Sequence, residues 1–136
     1  MPFTGKVGDT LYLSDAGGRH RYVILTEPNS NGDVVVVNFT SVRHWKECLV
    51  TFRPKDDKGL FDTKTTVLFS DARIVSIKRL AKVAKRKPRD YEFCSENHVQ
   101  RIVIGAFQSQ LTPIGVLEEL RMQYPNEYER YCEKDY

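Results

Sequence analysis

Residues 19–41 read RHRYVILTEPNSNGDVVVVNFTS, and the architecture turns on where this stretch sits. Residues 22–26 and 34–39 are runs of apolar and β-branched side chains, separated by the turn-forming cluster Pro28-Asn29-Ser30-Asn31-Gly32-Asp33. Strand, turn and strand in that order predict a β-hairpin. Both arms are too apolar to be half exposed. Strands of this kind belong where each face is covered, in the middle of a sandwich or a small barrel. Antiparallel pairing would set Arg19, His20 and Arg21, at the start of the first arm, beside Thr40 and Ser41 at the end of the second. One rim of the sheet would then carry two guanidiniums, an imidazole and two hydroxyls, a combination suited to an anion.

Before the hairpin, Gly5-Lys6-Val7-Gly8-Asp9 reads as a turn into a short strand over residues 10–13, and Asp15-Ala16-Gly17-Gly18 as a flexible loop. After it, residues 42–46 look irregular, 47–52 form a strand, and the polar segment 53–63 with Pro54 and Gly59 is a loop. A strand over 65–69 is interrupted at Ser70-Asp71 and continues over 72–76, and residues 80–85 are expected as an edge strand. The pattern changes at Ser95. Val99, Ile102, Val103, Ala106 and Phe107 fall on one helical face, with Ser95 as cap and Glu96 in the first turn, so a helix spans about 95–110. Thr112 as N-cap and Pro113 at the first position start another, running to about Gln123. Pro125 ends it, and residues 126–132 add a last turn or two. The expected fold is mainly β with C-terminal α-helices (α+β). Five to seven strands form a small barrel or curled sheet, covered by two or three helices.

At 136 residues the chain has the size of one domain, spanning 1–136, with a barrel over about 5–85 and a helical part over about 95–132. No apolar run reaches the roughly 18 residues of a membrane span, and the first ten residues lack a secretory pattern, so no membrane contact and a cytoplasmic location are expected. Cys48, Cys94 and Cys132 are odd in number and far apart, which suits buried thiols better than zinc or disulfides. No His, Cys or Asp cluster suggests a metal, no glycine loop suggests a nucleotide, and no cofactor is expected. Charge is unevenly spread. Residues 73–89 hold eight basic side chains and no acid, whereas the tail after Glu118 is acidic, a layout that fits either a polyanion-binding surface or a solvated basic face.

Taken in order, these elements resemble the MazF/PemK/Kid family of toxin endoribonucleases. Gly8-Asp9 matches the family's Gly-Asp before the first strand, Gly18 to Leu25 its glycine-containing loop and arginine-led strand, Asn38-Phe39-Thr40-Ser41 its strand ending in Thr-Ser, and Val67 to Leu80 its later polar strand closing on Arg-Leu. The resemblance covers roughly residues 5–111. Tyr22 stands where the family has proline after the arginine, the 42–66 linker is long, and residues 85–93 and those after Thr112 are additions. The family's fold is an SH3-like barrel with helices. Its activity is metal-independent cleavage of single-stranded RNA, in which the 2′-hydroxyl attacks the adjacent phosphate. The resemblance further implies a homodimer neutralised by an antitoxin protein.

By the same resemblance Arg21 and Thr40 are the catalytic pair, the guanidinium holding two phosphate oxygens as charge builds on them. Contacts to RNA are expected from Arg19, His20, Ser41, His44, Trp45, Lys46, Asp71, Arg73 and Lys78. An imidazole titrates near pH 6.5, which suits acid–base work, but strand alternation aims His20 away from Arg21. Trp45 could stack a base, or anchor the core or an interface. Asp71 and Arg73 match the family's later polar pair with an ambiguity of one residue in register. The alternative is a noncatalytic barrel of the same shape that binds nucleic acid or a protein partner.

Overall fold

The computed structural model describes residues 5–15, 18–42, 49–53, 63–83 and 94–132. The hairpin lies at its centre. Its arms, β2 (Gly18–Ile24) and β3 (Asp33–Ser41), run antiparallel in the register Tyr22 to Asn38, Val23 to Val37 and Ile24 to Val36. Asn29 shapes the turn between them. Its Oδ1 accepts from the backbone N–H of Asn31 at 2.9 Å and of Asp33 at 3.0 Å, and Gly32 supplies the left-handed residue at φ 78°. Strands β1 (Thr10–Asp15), β4 (Thr51–Phe52) and β5 (Thr65–Ser76) complete a five-stranded antiparallel sheet in the order β1-β2-β3-β5-β4. Both apolar arms are therefore interior strands.

Each face of the sheet carries its own buried cluster. On one face Val23, Val35, Val37, Phe39, Val67 and Phe69 pack with side chains of α2 (Glu96–Gln108) and α3 (Ile114–Gln123). On the other, Leu11, Tyr22, Ile24, Val34 and Val36 close on Leu80 of α1 (Ile77–Val83). The first is the helix face of the sheet and the second its α1 face. The alternation of β2 and β3 assigns odd residues to the first and even ones to the second.

Helix α1 corrects the edge strand expected at 80–85 over residues 80–83, while 84–85 lie outside the described residues. Ile77 and Leu80, three residues apart, fall on one side of a helical turn and seal the second cluster, while Lys78, Arg79 and Lys82 are exposed. Ser76 supports the start, its Oγ accepting from the Arg79 N–H at 3.4 Å. The expected interruption at Ser70-Asp71 is a bulge within one long strand. Val36 pairs with Arg73 but Asn38 with Leu68, so four residues of β5 face the single Val37. Of the strand expected over 47–52, Thr51 and Phe52 are strand, Leu49 and Val50 are not, and 47–48 lie outside the described residues.

The expected C-terminal helices are present. Ser95 caps α2 by accepting from the His98 N–H at 3.1 Å, and His98 Nδ1 accepts from the Ser95 N–H at 3.2 Å, an imidazole standing where a capping box usually has a carboxylate. Thr112 does not cap α3. Its hydroxyl donates to the Ala106 carbonyl at 2.7 Å, and Pro113 occupies the cap instead. Pro125 ends α3 by opening α4 (Pro125–Tyr131), where its missing N–H leaves no bond unmade. The architecture is antiparallel β with C-terminal helices, α+β. Among the described residues no helix is long and apolar enough to cross a membrane.

Candidate nucleic-acid interface

The residues expected along the rim occupy one end of the sheet but divide between its faces. Arg21 pairs with Tyr12 and lies on the helix face with Val23, where its Nη2 donates to the buried Thr10 Oγ1 at 3.2 Å. His20 pairs with Leu13, which packs on the second cluster, so the imidazole belongs to the α1 face. Thr40 follows the helix-face residue Phe39 and pairs with Thr66, so it too belongs to the α1 face. The fold thus sets Arg21 and Thr40 on opposite faces and groups Thr40 with His20 instead. Ser41 is exposed at the strand end beside Thr65, and Arg19 holds a backbone register with Ser14. His44, Trp45 and Lys46 lie outside the described residues.

Arg73 joins the α1 face through its pairing with Val36. Its guanidinium carbon stands 5.6 Å from the centroid of the Tyr22 ring, and its Nε donates to the Asp71 carbonyl at 3.3 Å. Asp71 is half-buried within the bulge, so its backbone rather than its carboxylate serves Arg73. Lys78, Arg79 and Lys82 are exposed on α1, the helix that covers the same face. One side of the sheet therefore offers an imidazole, a hydroxyl and a row of cations. Of the basic stretch, Arg73, Lys78, Arg79 and Lys82 border this face, and its members from residue 85 onward lie outside the described residues.

Asn38 was not among the sequence candidates, although a lone amide in the run VVVVNF is the signal that could have found it. It is 2% exposed, between Tyr22 and Leu68 in register, and its Oδ1 has no hydrogen-bond partner. An unmatched acceptor of this kind costs about 1–3 kcal/mol.

The helix face differs in charge. A cleft of about 430 Å³ opens between the start of α2 and the end of α3, lined by Val7, Glu27, Cys94, Glu96, Gln100 and Tyr124 among others. Its two carboxylates disfavour a polyanion, and part of its polar lining is already engaged. Tyr124 donates its hydroxyl to the Leu25 carbonyl at 2.6 Å, and Gln100 Nε2 donates to Glu127. Among the described residues no group of three His, Cys, Asp or Glu side chains is arranged to hold a metal ion.

Burial pushes the Cys94 thiol from 9.0 up to about 12, against the opposing pull of the Arg21 guanidinium. The folded state therefore keeps a proton that the unfolded chain releases first. The associated stability is intact below pH 9 and is lost as pH rises toward 12, at up to about 1.4 kcal/mol per pH unit. Tyr124, raised chiefly by burial and further by Glu127 and Glu27, adds a loss of the same sign. Urea unfolding near pH 8 and near pH 10 should show a fall in stability that is smaller in Cys94→Ala. Equal pH dependence in the two proteins would refute the assignment. Compared with protein-family models and with curated proteins, the chain matches none.

Proposed function

We propose that the protein is a metal-independent endoribonuclease of the MazF/PemK/Kid toxin type, with single-stranded RNA lying across the α1 face of its sheet. The observation that carries this reading is the presence of His20, Thr40 and Arg73 on that one face, bordered by the cations of α1. His20 takes the proton of the attacking 2′-hydroxyl and returns one to the departing 5′-oxygen. Thr40 donates to a nonbridging oxygen while negative charge builds on the phosphorane, and Arg73 supplies the guanidinium that the resemblance sought in Arg21. Arg21 acts from the other face, binding β1 to β2 through Thr10. Lys78, Arg79 and Lys82 hold flanking phosphates. The curled sheet is the family's SH3-like barrel in this reading, which includes a homodimer and an antitoxin segment laid over the RNA face.

Induced expression in a bacterial host tests the proposal, with growth recorded and total RNA run on a gel. Growth arrest with fragmented RNA, reproduced by the purified protein in the presence of a chelator, is the expected result. Intact RNA together with unimpeded growth would overturn cleavage. Salt-dependent RNA binding without turnover would then favour the noncatalytic reading, which the exposed Arg73, Lys78, Arg79 and Lys82 support by themselves.

A further inference from the structure

We propose that Tyr22 and Asn38 form a base-reading pocket, covered by Arg73, whose ligand is an unpaired nucleobase of single-stranded RNA. The inference rests on RNA binding at the α1 face as read above. Tyr22 and Asn38 are cross-strand partners, so their side chains stand next to each other on that face. Tyr22, 1% exposed with Arg73 over its ring, offers an aromatic face once that guanidinium moves away, and Asn38 offers an amide oxygen that is buried without a hydrogen-bond partner. A ring beside a buried acceptor matches a base, which has a π-face to stack and an N–H on its edge to donate. Arg73 is exposed, sits over the Tyr22 ring, and has a long enough stem to leave it for a phosphate. The base takes the position of the guanidinium on the ring and donates its N–H to Asn38 Oδ1. Asn38 thus reads the presence of a base, and the cations of α1 read the backbone.

The test measures affinity of the full chain for 2′-O-methyl oligomers of A, C and U, which resist cleavage, and for an abasic oligomer of the same length. The wild type should prefer at least one base-bearing oligomer over the abasic one by about tenfold or more. Asn38→Leu should lower that preference about 3–10-fold, leave abasic affinity unchanged, and melt no lower than the wild type, because the unmatched acceptor is gone. Should the leucine variant fail to fold, Asn38→Thr, β-branched and too short to reach the base, takes its place with the same expectation. RNA binding with the preference intact in a folded variant would overturn the pocket alone, the amide then being satisfied by water. A wild type that binds no oligomer would overturn the RNA reading and the pocket with it.

Discussion

Alanine at His20 is expected to slow RNA cleavage by about 10²–10⁴-fold, the range that a positioned acid–base group contributes, while RNA affinity stays within about threefold. His20 is half-buried in a strand whose ladder uses only its backbone, opposite Leu13, so the substitution leaves β2 in place. Arg73→Ala should divide the effects differently. Removing an exposed cation weakens phosphate binding and its salt dependence as well as the rate. Single-turnover cleavage of a single-stranded oligomer, measured beside its binding, separates the two. A His20→Ala protein that cleaves at the wild-type rate would remove the imidazole from the mechanism.

A large loss of stability is expected at Gly8, where alanine should cost about 2–4 kcal/mol and lower the melting temperature by about 10 °C. Two causes add. Gly8 has φ 89°, a left-handed conformation that a side chain resists, and a Cβ built there would lie 2.6 Å from the carbonyl oxygen of Cys94. That oxygen is backbone and cannot swing aside, since the Cys94 N–H donates to the Gly8 carbonyl at 2.8 Å while the Gly8 N–H donates to Ile24 at 2.8 Å. Gly32 supplies the control. It shares the positive φ at 78° but has nothing within 4 Å of a built Cβ, so Gly32→Ala should cost only about 1–2 kcal/mol. Thermal melts of the two variants decide the matter. Equal losses would mean that the contact with Cys94 contributes nothing.

Local pattern was enough for the hairpin, for α2 and α3, and for the interior position of β2 and β3, because these follow from side-chain periodicity and from turn and cap residues near in sequence. Helix α1 was not legible in the same way. Lys78, Arg79 and Lys82 break up its few apolar residues, and only the tertiary contact of Leu80 with Leu11, Ile24, Val34 and Val36 reveals which period applies. The rim around Arg19 to Arg21 and Thr40 was legible as a place, and alternation already set His20 against Arg21, but the face of Thr40 needed the register of β3 with its neighbours. Adjacent residues such as His20 and Arg21 are separated by the full thickness of the sheet, so nearness in sequence at a strand end does not amount to a shared site. Asn38 stands out in the sequence only as a lone amide in the run VVVVNF. Its unmatched oxygen is a property of its neighbours, which no reading of the strand by itself supplies.

The bulge in β5 has a bearing on how this chain can be aligned with any other. It puts an odd number of extra residues between Leu68 and Arg73, so the strand changes parity as it crosses β3: even positions face α1 before the bulge, and odd positions after it. Arg73 reaches its face only by virtue of that phase slip. A one-residue gap placed opposite residues 69–72 would exchange Arg73 for Ile74 and turn the cation toward the helices, whereas a two-residue gap would preserve every assignment. In this region it is whether a gap is odd or even, more than the similarity of the aligned letters, that says whether another chain presents the same surface.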